Sequence, residues 1–375
     1  MTAPAPQAQR PARLRLGDRS LSVIGRARIY VCGVTPYDVT HLGHAATYVW
    51  VDVVDRLLRR LGVGVEVCRN VTDVDDVLFE AATRAGEFYD RFAAVQQFHF
   101  ERDMDALGVR RPAHEPRAHA FVPQVINLAG ALLDAGAAYE AAGSVYLHGA
   151  GVVTAAGLSR EEALVRLAGA GGRVDDPAKR DPVDQAVWQR SDADEPAWPS
   201  PWGPGRPGWH AECTAMALST YGPSMDLHAG GADLAFPHHA YETAQAEAAT
   251  GVVPFARAWL HVGLVGLGGR KMAKSTGNLV FASDLLAEVP GAVVRTMLLD
   301  RPHDAAWDYE PSLLQQAAGR LDALRTAGGR PHTDPVAQQA VVDALCQGLD
   351  VTRALDIAVE EGGQAARDLA AVLAL

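Results

Sequence analysis

The stretch YVCGVTPYDVTHLGHAATY, Tyr30 to Tyr48, decides the fold. It begins inside ARIYVCGV (Ala27–Val34), a short apolar and β-branched run that reads as a buried strand. It ends in AATYVWVDVVDRLLRRLG (Ala45–Gly62), where Val49, Val53, Val54, Leu57, Leu58 and Leu61 recur at helical spacing. VGVEVCRNVTD (Val63–Asp73) follows as a second strand. Strand, helix and strand in about 45 residues make a βαβ unit, so the spacing predicts a doubly wound parallel sheet of Rossmann type in an α/β protein. The turn between strand and helix carries Cys32, a Thr-Pro pair, and His41 and His44 around a Leu-Gly pair. A helix N-terminus offers free N–H groups and partial positive charge to a phosphate. Gly43 lets a nucleotide approach the backbone, and the two imidazoles can donate to phosphate oxygens. The plainer alternative is a pair of polar residues that cap a helix.

Outward from this turn, helical patterns run from Asp76 to Leu107 and from Pro116 to Ala135. The Gly/Pro-rich segments Gly169–Asp184 and Trp198–Gly208 read as loops. They fall in a mostly helical insertion, roughly Gly108 to Pro207, between two halves of the sheet. Ala258–Gly268 returns as a strand, and from Pro290 onward the pattern is helical, most clearly over Pro311–Ala327. The expected division is a tail and edge strand over 1–26, a catalytic domain over 27–289, and a short helical C-terminal domain over 290–375. No internal repeat is visible.

Of 375 residues, 48% are hydrophobic and 21% charged, which suits a soluble globular protein with no ~20-residue apolar span. The N-terminal segment, rich in Ala, Pro and Arg, has no signal-peptide core. Four cysteines are too few for a disulfide framework, so a cytoplasmic location is expected. A net charge of −11 makes nucleic acid a poor first guess as partner.

Two further clusters carry chemistry. GGRKMAKSTGN (Gly268–Asn278) sets Lys271 and Lys274 beside Ser275 on a Gly-flanked loop that can close over a triphosphate. Read alone, it is a solvated surface loop. Cys32, Cys213, His238 and Glu242 form a possible Zn²⁺ shell, the last two at i and i+4 on one helix face. Cys68 and Cys346 read as inert packing residues, and His239 as a supporting neighbour of His238.

The HxGH turn and the KMxKS loop together resemble the signature pair of class I aminoacyl-tRNA synthetases. YVCGVTPYD, NVTDVDD, PGWHAECTAM, GGADLAFPHH, AQAEAATG and KMAKS are similar, in order, to blocks of the cysteinyl-tRNA synthetases over about Ala27 to Leu324. GVTPYDVTHLGHAATYV and EPAWPSPWGPGRPGWHAEC resemble a shorter branch more closely, the actinobacterial cysteine ligases of mycothiol biosynthesis. Those join cysteine to the amine of glucosaminyl-inositol (1D-myo-inositol 2-amino-2-deoxy-α-D-glucopyranoside). His44 stands where the tRNA enzymes usually have Asn.

The resemblance implies Zn²⁺ on Cys32, Cys213 and His238, with Glu242 or water as the fourth ligand. It implies that Thr35, His41 and His44 contact the phosphates of ATP, bound with Mg²⁺, with Gly33 in the same turn also binding the nucleotide. Thr47, Asn70 and Thr72 would line the cysteinyl-adenylate pocket, and Trp209 would pack on the cysteine side chain. Gly231 and Asp233 would hold the ribose, Val265 the adenine, and His228 would lie in the substrate pocket. Lys271 and Lys274 would serve the transition state. The ligases' ERGGDP block reads GAGGRVDDP here, without its acidic–basic pair. Asp38 is near enough to be a general base, but a turn-forming role serves it equally. Only 100 residues follow Ser275, room for a stem-contact-like region and a helical remnant, which points to a small amine acceptor. The expected protein is therefore a monomeric ligase, with a truncated cysteinyl-tRNA synthetase acting on tRNA as the alternative and a non-catalytic zinc paralogue as the third reading.

Overall fold

The computed structural model describes residues 12–37, 40–193, 195–272 and 277–375. Lys274, Ser275 and Asp38 lie outside these described residues. The chain opens with a hairpin, β1 (Ala12–Leu16) and β2 (Arg19–Val23), and enters β3 (Arg26–Val34). Helix α1 (Leu42–Arg60) follows, then β4 (Gly64–Val71), completing the βαβ unit. The expected single helical stretch after β4 is two helices, α2 (Asp76–Ala85) and α3 (Tyr89–Ala106). Gly86 ends α2 at φ +70°, a left-handed cap whose N–H returns to Ala82 and Thr83 carbonyls.

The insertion holds a 3₁₀ turn (Ala118–Phe121), α4 (Val122–Asp134), β5 (Ala138–Ala141), β6 (Ser144–Leu147), α5 (Ala150–Ala155), α6 (Arg160–Gly169), β7 (Gln185–Arg190) and β8 (Gly205–Pro207). Its strands form an antiparallel sheet in the order β5-β6-β7-β8, which the sequence reading did not foresee. Strands of three to six residues are too short for their periodicity to stand out. This sheet and α4 share a core with α7 (Trp209–Tyr221) and α8 (Ala240–Thr250), where Val145, Trp188, Val125 and Leu132 meet Ala211, Ala215 and Tyr241.

The main sheet resumes through α7 (Trp209–Tyr221), β9 (Met225–Gly231), α8 (Ala240–Thr250) and β10 (Ala256–Val262). Its order is β10-β9-β3-β4, every pair parallel. The winding reverses between β3 and β9, and ligands bind at such a switch point, outside the carboxyl ends of the strands. A small sheet, β11 (Val265–Leu267), β12 (Arg270–Lys271) and β13 (Trp307–Asp308), carries Lys271. The rest is helical: α9 (Ala282–Glu288), α10 (Gly291–Leu299), α11 (Ser312–Gly328), α12 (Pro335–Cys346), α13 (Val351–Glu361) and α14 (Gly363–Leu373).

Helix α1 is packed between the sheet and these helices, so even Asp52 and Asp55 are buried. Asp52 meets Arg56 one turn on, at 2.7 Å, and Asp55 meets Arg59 at 2.6 Å. Arg295, on α10, ion-pairs with Asp52 and donates to the Leu107 and Leu373 carbonyls, tying α1, α3 and α14 together. No helix among the described residues is long and apolar enough to cross a membrane.

Candidate active site at the sheet switch point

A cleft of about 590 Å³ opens at the carboxyl ends of β3, β4, β9 and β10. On its walls stand Cys32, Gly33, Thr35, His41, His44, Thr47, Asn70, Thr72, Trp209, Cys213, Gly231, Asp233, His238, Val265 and Lys271. Fifteen residues from segments far apart in the chain thus share one surface. Glu242 is buried behind Cys32 and His238. His228 departs from its expected place: it is fully buried and does not line the cleft. Its Nε2 instead meets Glu242 Oε2 at 2.7 Å, so it steers the carboxylate.

The side expected to hold the nucleotide begins at α1. His41 is the N-cap, its Nδ1 accepting from the Gly43 N–H at 3.1 Å, and its ring stacks on His44 at 3.9 Å. The capping and phosphate-binding readings are therefore compatible, because a side chain that caps the helix also faces the cleft. Gly33 has a reason of its own to lack a side chain: a Cβ would sit 1.5 Å from the Asn70 carbonyl oxygen. Thr35 and Thr72 hydroxyls meet at 2.7 Å, and Thr47 donates to the Gly43 carbonyl at 3.3 Å. Across the cleft, Lys271 Nζ rests on Asp233 Oδ2 at 2.6 Å.

The other side is the thiol cluster. Cys32 lies near the end of β3, Cys213 lies on α7, His238 lies in the helical turn Ala235–His239 that leads into α8, and Glu242 follows it by four residues in the first turn of α8. Their ligand atoms all fall within 4.8 Å of one another, and all four residues are buried. Cys32 Sγ lies 3.3 Å and His238 Nε2 lies 2.7 Å from Glu242 Oε1. The soft donor set fits Zn²⁺, which favours thiolate and imidazole. A second, overlapping set joins Cys32 and Glu242 to His228 and His239. Only the first set reaches the cleft through both cysteines and His238.

Neighbouring groups orient these donors. Asn70 donates from Nδ2 to Cys213 Sγ at 3.1 Å and accepts the Gly33 N–H on Oδ1 at 2.7 Å. Trp209 stacks on the His238 ring at 4.2 Å. His210, which the sequence reading passed over, sets its Nδ1 2.8 Å from His238 Nδ1, leaving Nε2 for an ion. The available signal was its place three residues before Cys213, on the same helical face. Burial holds the His210 pKa well below the usual imidazole range, so it stays neutral.

Protonation is divided within the cluster. Burial, then the Cys213 and Glu242 neighbours, push the Cys32 thiol well up. Burial also opposes a charge on Cys213, but the hydrogen bond from Cys32 and the His238 charge overcome it and lower that thiol. Burial disfavours the His238 imidazolium, yet Glu242 and Cys213 raise it to about 10. Burial likewise opposes the Glu242 carboxylate, and His238 and His228 reverse this and hold its pKa well down.

A parallel sheet with a histidine-capped helix N-terminus at its switch point, and a lysine-bearing strand on the wall of the same cleft, is the arrangement expected of a class I aminoacyl-tRNA synthetase catalytic fold. Residues 20–319 match the family described as tRNA synthetases class I (C) catalytic domain, and the chain belongs to this family. Its similarity is high to proteins named L-cysteine:1D-myo-inositol 2-amino-2-deoxy-alpha-D-glucopyranoside ligase. That of Acidothermus cellulolyticus is 42% identical over 354 residues, covering 92% of this chain and 88% of the relative. That of Streptomyces coelicolor is 43% identical over 336 residues, covering 88% and 82%. Among solved structures, Mycobacterium tuberculosis methionyl-tRNA synthetase in complex with methionyl-adenylate aligns with a TM-score of 0.66 at 16% identity. It covers 92% of this chain and 82% of that one, a likeness of fold.

Proposed function

We propose that the protein activates L-cysteine with ATP, bound with Mg²⁺, and transfers the cysteinyl group to the amine of glucosaminyl-inositol. AMP and pyrophosphate are released. The observation that carries this reading is that Cys32, Cys213 and His238 line the same cleft as His41, His44 and Lys271. A thiol-selecting centre and a nucleotide cradle serve one substrate there. The relatives named as cysteine ligases support the acceptor. Four free cysteines suit the reducing cytoplasm.

In the first step a cysteine carboxylate oxygen attacks the α-phosphorus, and the bond to the β-phosphate bridging oxygen breaks. His41 and His44 hold the phosphates in line. Lys271, released from Asp233, follows the charge that builds on pyrophosphate, with Lys274 as its partner in the loop. Cys32, Cys213, His238 and Glu242 would hold Zn²⁺, which would supply an affinity for thiolate that serine cannot satisfy. Asn70, His210 and His228 keep those ligands oriented, so selection precedes adenylation and no editing is required. In the second step the amine lone pair attacks the carboxyl carbon. The C–O bond to AMP breaks with its electrons on the phosphate oxygen, and the nitrogen's surplus proton passes to water.

The test pairs cysteine-dependent pyrophosphate exchange with acylation of glucosaminyl-inositol and of tRNA, using labelled cysteine. Exchange with cysteine but not serine, and label only in the sugar, is expected. Label in tRNA alone, or equal exchange with serine, refutes the reading.

A further inference from the structure

Beside the cleft lies a second cavity, of about 180 Å³, which shares Val77, Ala170, Gly171 and Trp209 with it. Past that shared wall Asp76, Arg173, Asp176, Lys179, Gln189 and Arg206 give it side chains of both charges, beside apolar residues such as Leu167 and Pro237. The departed motif GAGGRVDDP forms one wall, through Ala170, Gly171, Gly172, Arg173 and Asp176.

The wall is built rather than loose. Arg206 is buried and donates to both oxygens of Asp76, at 2.9 and 3.2 Å, and to Glu195. Asp176 accepts from the Tyr146 hydroxyl at 2.7 Å and from the Ala178 N–H at 3.0 Å. Lys179 is different. Its ammonium is half-buried on the cavity wall and has no hydrogen-bond or ion-pair partner among the described residues. A half-desolvated ammonium without a partner costs stability, which a ligand rich in acceptor oxygens can restore.

Resting on the functional reading above, we propose that this cavity binds the amine-bearing ring of the hydroxyl-rich acceptor. Sugar hydroxyls both donate and accept, so they suit a surface that mixes carboxylates, an amide, guanidinium and ammonium groups. An anion or an apolar ligand suits it less. The geometry agrees with the reaction order. The thiol centre and the nucleotide turn occupy two sides of the cleft, and the acceptor must reach the activated carboxyl from a third. The wall of Val77, Ala170, Gly171 and Trp209 is that side, because it lines both the cleft and the second cavity.

Lys179→Met and Arg173→Ala test this, since both side chains line the second cavity and not the cleft. Each is expected to raise the KM for glucosaminyl-inositol by about tenfold or more while cysteine-dependent pyrophosphate exchange stays within about twofold of wild type. Lys179→Arg is expected to restore most of the loss. Retained exchange shows that a variant is folded; if one loses it, Gln189→Ala takes its place. An acceptor KM within about twofold of wild type in every folded variant overturns the assignment. A wild-type protein that exchanges pyrophosphate yet never acylates the sugar overturns the functional reading, and the cavity assignment with it. The wild-type arm thus separates the two failures.

Discussion

Asn70 and Cys213 are joined by a hydrogen bond from the side-chain amide to the sulfur, 3.1 Å long, between the end of β4 and helix α7. The same amide takes the Gly33 N–H, so one side chain fixes β3, β4 and a thiol ligand together. A thiolate that accepts an N–H is stabilised in its charged form. Asn70→Ala is expected to weaken zinc by about 10–100-fold, as loss of an orienting partner does. Chelator competition measures it. Unchanged affinity would show that Cys213 needs no such partner.

Zinc affinity should rise with pH. Cys32 is held above the usual thiol range and His238 near 10, so both give up a proton when an ion takes their place. Two protons displaced per ion mean a gain of about a hundredfold per pH unit below that range. Calorimetry in buffers of different ionisation enthalpy counts the protons directly. In Glu242→Gln the His238 imidazolium loses its strongest support, so the count should fall towards one. A proton count of zero in the unaltered protein contradicts the assignment.

Lys271→Ala separates rate from stability. The Lys271–Asp233 pair is about half exposed on both sides, 50% and 41%, so it contributes at most about 1 kcal/mol to folding. Loss of one cation at the developing pyrophosphate should slow exchange by about 10²–10³-fold. The cysteine KM should hardly move. A large fall in Tm with normal exchange would assign the lysine a structural role instead.

Arg295 should matter for stability alone. Its guanidinium and Asp52 are 0% and 1% exposed, and it serves the Leu107 and Leu373 carbonyls as well. Arg295→Ala leaves these acceptors and a buried carboxylate short of a partner, at a cost of about 3–5 kcal/mol. Urea denaturation measures this, and a loss below about 1 kcal/mol would mean that the site relaxes around Arg56, which stays 2.7 Å from Asp52.

Much of the nucleotide side was legible because it is local. His41, Gly43 and His44 sit at a strand–helix junction, and apolar periodicity places that junction. Gly33 was legible as a special position, but the structure adds a different reason for it, the close approach of the Asn70 carbonyl. The contacts of His228 and His210 were not legible in the sequence, because they depend on Glu242 and His238, which come from other segments.

By itself the sequence determined the βαβ start, the order of the motifs and the identity of the soft donors, since hydrophobic period and residue chemistry are properties of the chain. Only tertiary structure decided that Cys32, Cys213 and His238 face the cleft together, that Glu242 stands behind them, and that a polar cavity adjoins Trp209. The physical reason is separation along the chain. Cys32 and Glu242 are 210 positions apart, and parallel pairing of β3 with β9 is what brings their segments side by side.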